Sequence, residues 1–379
     1  MILPAVAGFL IVAIILWEAF ETIILPRRVT RRFRLTRLYF RSTWFPWRSI
    51  AHRIRSNKQR ETFLSFYGPL SLLCLFGLWA TMLILGFGLV YFNNSRIDQT
   101  HPTLETCFYL SGTTFFTLGL GDVTPHTAFE RVIAVVESGL GFGFLALVLS
   151  YLPVIYQAFS RREVSIVLLD ARAGSPPTAA EIMRRHAGPH GLDALQVLLH
   201  EWERWSADLL ESHVSYPVVS YFRSQHSNES WLAALTAILD TSALIVSGAE
   251  GTATCARQAR LTFAMCRHAV VDLAQIFSAA PRDGLYDRLP AAELQRLRAA
   301  VAATGLSLRD TPESNKKLAD LRGMYEPYVE TLSKFLYMDL PPWILAKEIA
   351  DNWKTSAWGR ISGFGGRTHS DAATDDHGE

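Results

Sequence analysis

Residues 113–125, TTFFTLGLGDVTP, place four threonines, two glycines and one aspartate between long apolar runs. A hydroxyl, consecutive backbone carbonyls and two residues free to adopt φ > 0 are the parts from which a chain can replace the hydration shell of a small cation. The same letters also fit a Gly-rich turn in water. The flanks decide between them. In hydrocarbon every backbone amide must be satisfied by the protein, so irregular backbone is tolerated at that depth only where it is buried or lines water.

The flanks are long enough to cross a bilayer, which takes about 20 mostly apolar residues. Candidate spans are 1–25, 68–92 and 131–159. The first run lacks a basic start, and its basic residues follow it, so it reads as a retained span rather than a cleaved signal. Residues 27–60 hold eleven Arg and one Lys with no acid. By the positive-inside rule that loop is cytoplasmic. The N-terminus then lies outside a cell membrane, 93–127 stays outside, and the third span exits to the cytoplasm at Arg161 and Arg162. Residues 102–116, PTLETCFYLSGTTFF, are too apolar for a solvated loop and about half a span long. They read as a helix starting near Thr103, with Glu105 in its first turn where the helix dipole favours an anion. Such a half-helix aims its negative end at the bilayer centre. The backbone of Thr117, Leu118, Gly119, Leu120 and Gly121 follows directly, placed to bind a cation.

These residues carry a resemblance. TLGLGD, Thr117 to Asp122, is similar to the T-V-G-Y-G-D selectivity filter of the potassium-channel pore family, and the likeness covers roughly residues 65–160. Leu118 stands where that family commonly has Val, Leu120 where it has Tyr or Phe, and Phe116 where it has Thr or Ser. Leu at the second filter position resembles the second pore loop of animal two-pore-domain potassium channels. The resemblance implies K+ as the permeant ion and the only metal, no cofactor, and a homotetramer, since one pore loop per chain must close into a ring. It also puts Gly141 at the hinge of the pore-lining helix. Close packing of the third span through Gly139 and Gly143 is an equal alternative. Pro153 is expected to kink the same helix where four copies would cross. Asp122, Tyr109, Thr113 and Glu137 are expected to support the filter. A carboxylate inside a span must be protonated or hydrogen-bonded. Tyr109, Ser111 and Thr113 are the expected partners of Glu137, either as a fixed brace or as a site that titrates.

Away from the pore, Trp44, Phe45, Trp47 and Ile54 are interleaved with the basic residues of 27–60. That mixture suits contact with anionic lipid, or serves topology alone. Glu18 and Glu21 share one helix face, within reach of Arg27 and Arg28 near the interface; a functional role for these carboxylates is the other reading. No Arg-x-x-Arg span supports voltage sensing of the familiar kind.

The expected fold class is an all-α membrane protein with three spans, a re-entrant pore helix and a helical cytoplasmic domain. The expected divisions are 1–26, an N-terminal span; 27–60, a basic amphipathic segment; 61–162, the pore domain; 163–365, the helical domain; and 366–379, a disordered tail. VSIVLLDARAGSPP is read as the linker into the helical domain. Within that domain 231–248 is apolar all round, so it is either a fourth span or a buried core helix, and Asp240 at its centre favours the core. A net charge of +2 gives no reason to expect nucleic acid. Four scattered cysteines and eleven histidines without ligand spacing argue against a metal centre. With no triad and no G-x-G-x-x-G after a strand, an enzyme and a nucleotide-binding regulator are not expected. The leading function is a potassium-selective channel controlled by its helical domain, which would bind a ligand, assemble the tetramer or contact another protein. A weakly selective cation channel and a non-conducting membrane-anchored signalling or scaffold protein are the alternatives.

Overall fold

A computed structural model describes residues 3–25, 34–94, 103–188, 190–226, 228–250, 253–281, 287–347 and 351–354. The 366–379 tail and the Arg27 and Arg28 partners expected for Glu18 and Glu21 lie outside them. The chain is helical, with no strand among the described residues, and packs as two units. The first comprises 1–54 and 63–157, the second 55–62 and 158–379.

In the first unit, α1 (Leu3–Ala19) runs into a π-helical turn, Phe20–Ile24. α2 spans Leu35–Ala51; α3, Asn57–Ser65, lies in the second unit up to Thr62 and in the first from Phe63; α4 spans Tyr67–Asn94 and α5 Leu104–Phe115. α6, Ala128–Ala173, begins here and continues into the second unit. α1 packs against α4 backbone to backbone: a Cβ on Gly8 would stand 2.4 Å from Gly86 O, and one on Gly86 2.7 Å from Val12. Small residues permit that approach between membrane helices, where water provides no drive to associate. α5 lies equally close to α4, with the Phe108 ring 2.2 Å from where a Gly88 Cβ would be.

α2 carries most of the described part of the basic segment. Trp44 is not at the surface, as the lipid reading requires, but buried with its ring 4.7 Å from Tyr67. Trp47 stacks on Phe63 at 4.5 Å. Leu38 and Phe45 remain exposed, on a face with Arg37 and Arg41. Glu18 is fully buried and accepts from the backbone N–H and hydroxyl of Thr36, at 3.2 and 3.0 Å. Glu21, in the π turn, accepts from Trp17 Nε1 at 2.7 Å and lies 3.8 Å from Arg34 Nε. These contacts are the local pairing expected of intramembrane carboxylates, made with Arg34 and Thr36.

The second unit adds to the end of α6 the helices α7 (Ala179–Arg185), α8 (Gly191–Ser215), α9 (Trp231–Gly248), α10 (Ala253–Ile276), α11 (Ala291–Ala302), α12 (Pro312–Gly323) and α13 (Glu326–Leu336). α7 starts at Ala179 because the Thr178 side chain caps it by accepting from Glu181 N. Val164–Ala173 is helix rather than linker; only the short turn after it connects to α7. α9 is the core. Every residue from Trp231 to Ile245 is buried, so it presents no face to lipid within this unit, although it is one of four helices here long and apolar enough to cross a membrane. Asp240 at its centre is held by Arg288, with Nη2 2.7 Å and Nη1 3.2 Å from the carboxylate oxygens, and by the Tyr325 hydroxyl. A charge that deep persists only when paired in this way.

Candidate functional site: the pore loop

The site is built on α5 and the start of α6. Thr103 caps α5, its hydroxyl accepting from Thr106 N at 3.2 Å, and Glu105 lies in the first turn, as the sequence suggested. The helix closes at Phe115. Its last free carbonyls do not point into empty space: Thr113 O accepts from Leu118 N at 2.8 Å and from Gly119 N at 3.4 Å, folding the filter stretch back under the helix end.

Beyond that turn, φ is +57° at Thr117, +55° at Gly119 and +82° at Gly121, while Leu118 and Leu120 are not in the positive-φ region. This alternation of left-handed and ordinary residues departs from the uniform extended backbone of a strand, whose successive carbonyls alternate in direction. Thr117 was not anticipated as left-handed; its side chain carries a strain the glycines avoid. At Gly119 and Gly121 nothing lies within 4 Å of an added Cβ, so backbone angle alone calls for glycine there. Phe116, Leu118 and Leu120 are 59, 61 and 64% exposed in the single chain.

Two polar braces stand behind this loop. Tyr109 donates to Asp122 Oδ2 at 2.8 Å, so it ties α5 to the residue after Gly121 rather than to Glu137. Glu137 is fully buried on α6. Tyr91 on α4 donates to its Oε2 at 2.8 Å, and Ser111 lies against Oε1. Ser111 was expected; Tyr91 was not, because nothing in the sequence aligns α4 with α6 in register. Thr113, the third expected partner, turns its hydroxyl to Leu110 O at 3.0 Å. Ser111 Oγ also reaches Ile84 O at 2.8 Å. A hydroxyl has one hydrogen and two acceptors compete for it here. If Ser111 gives it to Ile84 O, the carboxyl of Glu137 must bring the other.

α6 starts with a reciprocal cap that the sequence reading passed over. The Thr127 hydroxyl accepts from Glu130 N at 3.2 Å, and Glu130 Oε2 accepts from Thr127 N and His126 N at 3.1 and 3.0 Å. The T-x-x-E spacing was its available signal. Gly141 lies beneath the end of α5: a Cβ there would stand 2.0 Å from Phe115 O. Gly139 and Gly143 have open space instead, so the glycine that permits close packing within the chain is Gly141, not its neighbours. Helix is maintained through Pro153, which is exposed. Among the described residues no cluster of His, Cys, Asp or Glu could hold a metal.

Comparison with known proteins places the similarity over this site. Residues 79–157 match the family described as Ion channel. An uncharacterized membrane protein of Bacillus subtilis, YdjJ, is 24% identical over 182 residues, covering 47% of this chain and 52% of its own. Two-pore potassium channel 5 of Arabidopsis thaliana is 36% identical over 70 residues, 18% of this chain and 17% of its own. The chain thus spans about half the length of the first relative and about a sixth of the second. No solved structure matches.

Proposed function

We propose, on the premise that residues 79–157 belong to the potassium-channel pore family, that four copies of this chain close into a ring and conduct K+ passively across a cell membrane. The observation that carries this reading is the run of positive φ at Thr117, Gly119 and Gly121 at the end of a capped half-helix. A carbonyl ladder of that kind replaces hydration water around a dehydrated cation only when several copies face one axis. Two features of the single chain support a ring. The filter side chains are exposed, and so is an apolar face of α6 that includes Val135, Phe142, Leu145 and Leu149. A closed cyclic assembly covers such faces without leaving a free edge.

In this assembly each residue of the loop has a task. Thr117 supplies a hydroxyl and a carbonyl at the inner end, and Leu118, Gly119 and Leu120 supply carbonyls. Asp122 concentrates cations at the outer mouth while tied to Tyr109. Glu137 joins α4, α5 and α6 behind the filter. With Leu120 in place of an aromatic hydroxyl, that joint carries more of the support. Gly141 and Pro153 shape the pore-lining helix, the N-terminus is outside, and the helical unit is cytoplasmic and sets the open probability. α2 rests on anionic headgroups through Arg37, Leu38, Arg41 and Phe45, on its exposed face.

Purified full-length chain in liposomes tests the reading through reversal potentials in opposed K+ and Na+ gradients. A strong K+ preference is expected. Equal permeability selects the weakly selective cation channel, which the absence of a hydrogen-bonding group at Leu118 and Leu120 favours as the second reading. No flux of either ion in a folded oligomer overturns both.

A further inference from the structure

α6 does not end at the membrane. Its residues 158–173 belong to the second unit, where one side of the helix is buried and the other is bare. Ile166 and Leu169 face inward at 2 and 1% exposure, whereas Val164, Val167 and Leu168 are 57, 54 and 58% exposed. The bare side is regular. Pro153, Gln157, Ser160, Val164, Val167 and Ala171 are exposed or half-exposed and follow one another by alternating steps of four and three. That is the spacing of a coiled-coil seam, with Val164 and Ala171 at one core position and Val167 at the other.

Lipid is not what covers this stripe. The helix rises about 1.5 Å per residue and a hydrocarbon core needs only about 20 residues, so the part of the stripe from Ser160 to Ala171 lies past the end of the 131–159 apolar run. At its upper end Arg162 is buried in protein, donating to Val219 O at 3.0 Å and Phe222 O at 2.8 Å and lying 2.9 Å from Glu163. Aliphatic side chains at that level face water unless protein covers them. The ring proposed above brings identical α6 helices together, parallel and in register, and their continuation carries the stripe alongside itself. β-branched residues at both core positions suit assemblies of more than two strands. Arg172, at the lower end, is neutralised on its own chain by Glu201 at 3.4 Å, which limits repulsion between copies.

We propose that residues 160–171 form a self-association seam, in which copies of this chain pack against one another below the membrane through Val164, Val167 and Ala171 with Leu168 at the flank. The number and direction of the copies rest on the pore reading; the seam itself rests on the stripe. It gives the cytoplasmic units a fixed point of assembly separate from the filter.

Cysteine cross-linking in the full-length chain tests it. Cys74 is the exposed cysteine among the described residues and is first replaced by alanine. Single cysteines then replace Val164, Val167 or Ala171, with exposed Arg204 on α8 as the control. In liposomes, mild oxidation is expected to give covalent dimers at the three seam positions at more than ten times the yield at 204. Equal, low yields everywhere in a preparation that light scattering shows to be oligomeric overturn the seam and leave the pore reading standing. Seam cross-links without K+ flux keep the seam and remove the pore reading. Protection of these cysteines from aqueous maleimide without cross-linking assigns the stripe to another cover, such as the chain's own C-terminal residues, and also overturns the proposal.

Discussion

At Gly119 and Gly121 there is room for a side chain but not for its backbone: φ is +55° and +82° with nothing within 4 Å of an added Cβ. Alanine at either position costs about 1–2 kcal/mol in left-handed strain. That is too little to unfold the chain and enough to rotate a carbonyl out of the ladder. Gly119→Ala and Gly121→Ala are therefore expected to abolish K+ flux in liposomes while the oligomer keeps its size by light scattering. Full flux in either variant would falsify the assignment of these carbonyls to the ion. Glu137 makes a different demand. It needs a group that accepts from Tyr91 and satisfies Ser111, which itself contacts Ile84 O at 2.8 Å. Glutamine can accept and donate; valine can do neither and strands the buried Tyr91 hydroxyl at about 1–3 kcal/mol, while Ser111 keeps Ile84 O. Glu137→Gln should keep the parent K+/Na+ ratio from pH 5 to 8, and Glu137→Val should lower it. A pH response present in the parent and missing from Glu137→Gln would instead make this carboxyl a titrating sensor.

The packing of α6 under α5 explains Gly141 without a hinge. A Cβ there would stand 2.0 Å from Phe115 O, in backbone that has no rotamer to yield. Gly141→Ala should cost about 1–3 kcal/mol by overpacking, read as a lower melting temperature of the oligomer. Unchanged melting with a reduced open probability is the result a hinge predicts, and it would reverse this assignment. What was legible at this scale follows from how local the signal is. The half-helix, its Thr103 cap and the two filter glycines announce themselves within twenty residues of sequence, as does Asp240 as a reason to bury α9. Tyr91 against Glu137 and Trp44 against Tyr67 depend on the rotation of one helix about another, which apolar helices do not encode in their periodicity. The extension of α6 to Ala173 was hidden for a related reason: VSIVLLDARAGSPP ends in Gly and two prolines and reads as a linker, whereas the helix before them is anchored by tertiary contact, Trp205 donating to Arg162 O.

For the molecule as a whole, the second unit can be weakened without touching the filter, and two sites do so differently. His213 is held well below the ordinary histidine range, first by burial and then by Arg162 beside it. The unfolded chain takes up that proton as pH falls through about 6.5 and the folded chain does not, so stability is lost on acidification. Asp170, Glu61 and Glu326, pushed up mainly by burial, act in the opposite direction at lower pH, in the carboxylate range. The denaturant midpoint of this unit should thus drop between pH 7.5 and 5.5, and His213→Gln should flatten that slope; an unchanged slope would discard His213 as its origin.

The sharper handle on the second unit is the Arg288–Asp240 pair at the centre of α9, with Nη2 2.7 Å from Oδ2 and Asp240 fully buried. Removing one partner leaves a bare buried charge and costs about 3–5 kcal/mol, whereas replacing both by apolar residues is close to neutral. Arg288→Ala should therefore loosen this unit, measured by limited proteolysis, and the double change Asp240→Leu, Arg288→Met, made in a Tyr325→Phe background so that the hydroxyl bound to Asp240 is not stranded, should leave it intact. The proposed filter, Thr117 to Gly121, and the residues proposed to brace it, Tyr91, Ser111 and Tyr109, all lie outside this unit. The K+/Na+ reversal potential is then expected to be identical in all three proteins. Open probability is the quantity that should separate them, altered by Arg288→Ala and preserved by the double change. If Arg288→Ala loosens the unit and single-channel open probability stays at the parent value, the helical unit does not control the pore, and its role lies in assembly alone.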